Sequence, residues 1–173
     1  IADVTSSLSC FGVWGPNARL LLQPLTRTDL SNEAFPYMQA QELSIGAVPC
    51  LAVRVTYVGE LGWELYCPSE FGLRLWDTIW EGGLAHGLAP AGYKAIDSLR
   101  LEKGYRVWGA DISPEDTPFD VGLAFAVKLD KGPFLGREAL EARSAPARML
   151  CCIVLDDPQQ VALGSEPVRI GDA

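Results

Sequence analysis

Apolar and polar residues alternate along residues 48–58. Cys50, Ala52, Arg54 and Thr56 fall on one side, and Leu51, Val53, Val55 and Tyr57 on the other. That is the period of a half-buried strand, and residues 62–67 resume it after a glycine turn as its expected hairpin partner. Residues 8–15 read as a short apolar strand. Pro16 then opens a helix with Ala18, Leu21 and Leu22 inward, which Pro24 ends. A polar, turn-like stretch follows over 26–36. Ser69 is the expected N-cap of a helix reaching Trp80, with Glu70 in its first turn and Leu73, Trp76, Ile79 and Trp80 as its core face. Gly82 and Gly83 are its expected stop. Pro90 begins another helix running to Lys103, with Gly104 just past its end and Asp97 and Arg100 as a solvated i, i+3 pair.

Beyond it, 113–118 reads as a connection, 123–129 as a strand, 136–143 as a short helix, 149–155 as a strand and 168–171 as a strand start. Strand, helix, strands, helix, helix predicts an α+β fold with helices packed on an antiparallel sheet. No internal repeat or low-complexity segment interrupts it.

Composition narrows the function classes. With 173 residues, 49% apolar and 21% charged, the chain is of ordinary globular type. A net charge of −8 argues against a nucleic-acid partner, which calls for a basic patch. No apolar run approaches the ~18 residues of a membrane span, so no membrane partner is expected. The 5 cysteines are odd in number and lack metal-ligand spacing, so no metal site and no disulfide framework are expected; Cys151 and Cys152 read as small buried hydrophobes. The single histidine, His86, leaves little room for histidine-based catalysis. Ten arginines against four lysines and the lack of a targeting segment fit a bacterial cytoplasm, or a processed mitochondrial matrix protein. Ile1 in first place suggests a piece of a longer chain.

Thr56-Tyr57-Val58-Gly59-Glu60-Leu61-Gly62-Trp63-Glu64 is the stretch richest in candidate chemistry. A strand leaving a glycine turn can present one carboxylate to a ligand edge carrying two adjacent N–H donors, because both bonds are charge-assisted and parallel. Strand alternation sets Trp63 on the face opposite Glu64. This stretch resembles the folate-site signature of the glycine-cleavage T-protein (aminomethyltransferase) superfamily. Gly15-Pro16-Asn17-Ala18-Arg19 is similar to that family's G-P-x-[SA]-R helix start. Asp97-Ser98-Leu99-Arg100-Leu101-Glu102-Lys103-Gly104 is similar to its D-S-L-R-L-E-x-G helix, followed by Gly109-x-Asp111 and Thr117-Pro118. Within the superfamily, Ala91-Gly92-Tyr93-Lys94-Ala95-Ile96 and Phe134-Leu135-Gly136-Arg137-Glu138-Ala139-Leu140 look like the C-terminal, folate-binding half of sarcosine and dimethylglycine dehydrogenases.

The resemblance implies that residues 1–112 are the second half of a folate-binding domain, 113–147 a connecting segment, and 148–173 the beginning of a C-terminal barrel. It implies tetrahydrofolate as cofactor, with FAD confined to a preceding flavin domain of the parent protein, to which nothing here is similar. A small N-methyl amine would be the other substrate, and the rest of the parent chain the packing partner. Residue by residue, Glu64 matches the glutamate that holds the pterin ring, Tyr57 a tyrosine at the same ligand, and Trp108 a candidate wall of the folate tail site. Glu60 is expected to be structural, and Arg100 to support the Glu64 loop or lie on the helix surface. The family's catalytic aspartate is not matched by Asp3, so no catalytic residue is expected in these residues. Ile96 stands where glycine-cleavage T-proteins carry an arginine, which favours the dehydrogenase type. Two other readings stay open: a stand-alone aminomethyltransferase, and a non-catalytic folate-binding or interaction module. Relatives that assist iron–sulfur maturation carry K-G-C-Y-x-G-Q-E, where this chain has Lys131-Gly132-Pro133-Phe134-Leu135-Gly136-Arg137-Glu138.

Overall fold

Four strands form one antiparallel sheet: β1 (Leu8–Trp14), β2 (Ala40–Ile45), β3 (Val48–Val53) and β4 (Gly62–Pro68), in the order β1-β4-β3-β2. The computed structural model describes residues 1–146, 148–169 and 171. Helices α1 (Ala18–Leu22), α2 (Gly72–Gly83), α3 (Tyr93–Glu102) and α4 (Arg137–Ala142) complete the α+β fold. The chain divides into two compact units, Ile1–Arg106 and Val107–Ala173, and the sheet belongs to the first.

The core of the first unit lies between one sheet face and helices α1 and α2. Val13, Leu43, Ile45, Val48, Cys50, Ala52, Trp63, Leu65 and Cys67 come from the strands, Leu21, Leu22, Leu75 and Ile79 from the helices, and Leu30 and Phe35 from the polar stretch between them. Each large side chain taken fully from water there contributes about 1.5–3 kcal/mol. Burial also raises the Cys50 thiol to about 11, with the neighbouring Cys67 adding to the shift.

The expected 48–58 strand stops at Val53, whose partner Glu64 is the last β3–β4 pair. There Val55 N–H closes a tight turn on the Val53 carbonyl (3.0 Å), and Trp14 Nε1 donates to the Val55 carbonyl (3.0 Å). Strand β2 was not expected from the pattern. The Ser69 hydroxyl donates to the Ser6 carbonyl (2.8 Å), and a 3₁₀ turn over Ser69–Phe71 leads into α2, so Ser69 is not its N-cap. The core face of α2 is Gly72, Leu75, Ile79 and Gly83, not the expected Leu73–Trp76–Trp80 stripe. Glycine at 72 and 83 lets the helix approach Ser9 and Leu21 closely. Trp76 instead lies outside, stacked on Trp80 (centroids 5.8 Å) and against Phe11 (5.9 Å), with Leu73 exposed. A 3₁₀ turn continues past Gly83 to Gly87, whose φ of 75° ends it. Helix α3 starts at Tyr93 rather than Pro90, and Gly104 (φ 67°) does follow its C-cap, Lys103. Arg100 is buried, so the Asp97–Arg100 pair is exposed on its carboxylate side alone.

In the second unit the expected strands at 123–129 and 149–155 are not strands; 3₁₀ turns occupy Ala124–Ala126 and Leu129–Lys131. Met149, Ile153 and Val154 are exposed, and so are Cys151 and Cys152, against the expectation that both are buried. A strand is stabilised by its neighbour, and 149–155 pairs with none among the described residues. Side-chain bonds order this unit locally. Thr117 donates its N–H (2.8 Å) and hydroxyl (2.6 Å) to Asp120 Oδ2, which holds that buried carboxyl below the usual aspartate range. Of the expected 168–171 strand, Val168 and Arg169 are not in a strand and Ile170 lies outside the described residues.

Candidate functional site

Strand β4 alternates strictly. Trp63, Leu65 and Cys67 turn into the core, so Glu64 and Tyr66 stand half-buried on the outer face of the sheet, away from the helices. The Tyr66 hydroxyl donates to Glu64 Oε2 at 2.6 Å, a short charge-assisted bond. Across the sheet, Glu64 pairs with Gly12 and Val53, and Tyr66 with Cys10 and Leu51. An apolar groove of about 720 Å³ opens on this outer face, lined by Leu8, Glu42, Leu51, Val53, Tyr66 and Pro68.

The bond to the Glu64 carboxylate, more than burial, pushes the Tyr66 phenol above its ordinary value of 10.0. The folded state therefore keeps a proton that the unfolded chain releases, so this contribution is intact below the ordinary tyrosine range and is lost as pH rises through and beyond it. In a spectrophotometric titration Tyr66 is expected to ionise above the ordinary tyrosine range, and Glu64→Ala should bring that late step down. An unchanged titration curve in the variant would contradict the bond.

Two side chains at this face escaped sequence reasoning, Tyr66 and Trp14. The period of two in β1 sets Cys10, Gly12 and Trp14 on the face of Glu64, and that alternation was the available signal. The Trp14 indole leans back along β1. A methyl group on Gly12 would collide with its Cη2 and lie 2.5 and 2.7 Å from Cζ3 and Cζ2; one on Gly62 would strike the Val13 carbonyl and lie 2.5 Å from Trp14 Cδ1. The indole therefore lies on two glycines, one opposite Glu64 and one two residues before it.

Tyr57 is fixed apart from this cluster. Its hydroxyl donates to the Arg106 carbonyl (2.8 Å) and its ring packs on Tyr105 (6.1 Å). Glu60 pairs with Lys103 at 2.9 Å, and Thr56 Oγ1 accepts from the Val58 and Glu60 N–H groups (both 3.2 Å), so the turn is tied to itself and to α3. Arg100 Nη1 donates to the Tyr105 carbonyl (2.9 Å), which supports the segment against which Tyr57 packs. Trp63 is a core residue. Trp108 belongs to the second unit, where it is exposed and its backbone bridges to Ile112. Among the described residues, no group of three or more His, Cys, Asp or Glu could hold a metal ion, and no helix is long and apolar enough to cross a membrane.

A model of the GCVT N-terminal domain matches residues 1–131. The chain is 44% identical over 160 residues to the mitochondrial sarcosine dehydrogenase of Homo sapiens, a match covering 91% of this chain and 17% of that protein. It is 38% identical over 161 residues to the mitochondrial dimethylglycine dehydrogenase of Homo sapiens (91% and 19%). Against the aminomethyltransferase of Thermoanaerobacter pseudethanolicus it is 42% identical over 140 residues, covering 81% of this chain and 38% of that enzyme. The chain thus spans about a fifth of the length of these dehydrogenases and under half of the aminomethyltransferase.

Proposed function

We propose that this chain, which belongs to the GCVT N-terminal domain family, is the tetrahydrofolate-binding region of a one-carbon transfer enzyme, with Glu64 as the acceptor for the pterin edge. The observation that carries the reading is the Glu64 carboxylate held on the open sheet face by the Tyr66 hydroxyl at 2.6 Å. Tetrahydrofolate would supply the amines that take up the carbon unit. Glu64 fits such a ring because an ionised carboxylate accepts two parallel N–H bonds, one from an exocyclic amine and one from the adjacent ring nitrogen. Tyr66 occupies one further lone pair of Oε2 and fixes the carboxylate plane.

The donor on this reading is a small N-methyl amine of the sarcosine or dimethylglycine kind, since the dehydrogenases matched carry those names. An aminomethyl donor is the second option, supported by the match to an aminomethyltransferase. FAD would belong to a separate domain of the parent protein; the proposed location is a bacterial cytoplasm or a mitochondrial matrix, the latter in keeping with the mitochondrial dehydrogenases matched. Residues 1–112 would then form the second half of the folate domain, 113–147 a connection, and 148–173 the start of a barrel. Tyr57 is proposed as a further folate contact through its ring, because its hydroxyl is engaged by Arg106. Pro133, in place of a reactive cysteine, weighs against an iron–sulfur maturation role.

Calorimetric titration of the full-length protein with tetrahydrofolate tests the reading. Saturable binding with a stoichiometry of about one per chain is the expected result; no binding heat at any temperature tried, together with no shift in melting temperature, sinks it.

A further inference from the structure

We propose that Trp14 is the stacking wall of the Glu64 site, its indole covering the flat face of the heteroaromatic ring whose N–H edge Glu64 accepts. The inference rests on the tetrahydrofolate reading above and adds a residue that recognises the ring by its face rather than its edge.

Three features place the indole there. Gly12 pairs directly with Glu64, and Trp14 with Gly62, so plate and carboxylate sit on adjacent strands of one sheet face. Directly opposed residues of neighbouring strands lie about 4.5–5.5 Å apart. The indole over Gly12 is therefore a direct cross-strand neighbour of Glu64. Next, the glycines at 12 and 62 leave room for the indole to lie down: a methyl group at either position would meet its ring atoms at 2.7 Å or less. Third, Trp14 Nε1 donates to the Val55 carbonyl (3.0 Å), which pins the ring against swinging into solvent. One indole face rests on the glycines, and Trp14 is half-buried, which leaves area free for a ligand ring.

A carboxylate alone accepts from any pair of N–H donors, guanidinium and amidine included. A carboxylate beside an aromatic plate favours a planar ring with both an N–H edge and a π face, the chemistry of a 2-amino-4-oxopyrimidine or a fused pterin. A guanidinium also stacks on an indole, but a bicyclic ring covers more of it, so the plate adds more for a pterin than for an alkyl guanidine.

The test compares the full-length wild-type protein with Trp14→Leu, Trp14→Phe and Glu64→Ala, titrated with tetrahydrofolate and with melting temperatures measured alongside. Trp14→Leu should weaken binding by roughly 5- to 100-fold, the range seen when base–aromatic stacks are removed. Trp14→Phe, which keeps a stacking ring but loses the bond to Val55, should retain most of the affinity. Ligand-induced quenching of tryptophan fluorescence should also be smaller in Trp14→Phe than in the wild type, a readout that a purely structural role would not move. Wild-type affinity in Trp14→Leu while Glu64→Ala loses binding would overturn the stacking wall and leave the Glu64 reading standing. If Trp14→Leu fails to fold, equal quenching in wild type and Trp14→Phe would overturn it instead. Absence of tetrahydrofolate binding by the wild type would remove both.

Discussion

Trp63→Ala is expected to cost about 3–5 kcal/mol of folding stability, the upper range for emptying a large buried aromatic site. Trp63 is 0% exposed and meets Phe35 edge-on at 6.2 Å. The guanidinium groups of Arg19 and Arg54 lie over its ring at 5.8 and 5.7 Å. Both arginines also donate to Asn32 Oδ1 at 2.7 Å. Burial lowers the Arg54 pKa from its ordinary value, and the Arg19 charge lowers it further, so two mutually repelling cations converge on the Asn32 oxygen and on the Trp63 ring. Its removal therefore leaves a cavity and also takes away the π face that each cation uses. Urea unfolding followed by far-ultraviolet circular dichroism should show the loss, and Trp63→Phe should recover part of it. A loss below about 1 kcal/mol would mean that the core is organised elsewhere.

Glu64→Ala should leave the fold nearly intact and abolish most ligand binding. The side chain is half-buried on the outer face and lies outside the buried core cluster, so its truncation gives up chiefly the partly exposed Tyr66 bond, about 1 kcal/mol. Each hydrogen bond to a charged group contributes about 1.5–3 kcal/mol. Losing two bonds from a ligand edge weakens tetrahydrofolate on the order of a hundredfold or more. Glu64→Gln should be nearly as damaging, since its amide sets a donor against a donor. A melting temperature within a few degrees of wild type, beside a binding constant shifted this far, is the expected pair of results. Matching losses in both would instead assign Glu64 to the fold.

The sheet was legible where alternation was strong. Strand β4 follows from apolar residues at every second position, which also separates Trp63 from Glu64 without any structure; β1 and β3 follow from their apolar runs, and β3 buries Val48, Cys50 and Ala52 while its larger Leu51 is exposed. Strand β2 was missed because Gln41, Glu42 and Ser44 leave Leu43 and Ile45 as its two buried residues, the pattern of a solvated edge. Hydrophobic size does not give the phase of α2, because by size Trp76 and Trp80 outweigh Gly72 and Gly83. Close approach of helix to sheet needs small residues, and the indoles stack on one another outside. Runs 123–129 and 149–155 look like strands by composition, but pairing makes a strand, and pairing is not encoded in one segment. At the site, the outward side of Glu64 and Tyr66 was readable from the period. The lean of Trp14 over Gly12 and Gly62 was not, because it depends on register with β4 and on the turn at Val55.

The role proposed for Glu64 is to accept from the exocyclic amine and the neighbouring ring N–H of a pterin. Its most direct test is a thermodynamic cycle on the full-length protein: wild type and Glu64→Ala, each titrated with tetrahydrofolate and with an analogue carrying a methyl group in place of the exocyclic amine. The wild type is expected to discriminate against the analogue by at least tenfold, about 1.4 kcal/mol, and Glu64→Ala to bind both ligands weakly and alike. Equal discrimination in both proteins would contradict it, because the amine would then be recognised by some other group.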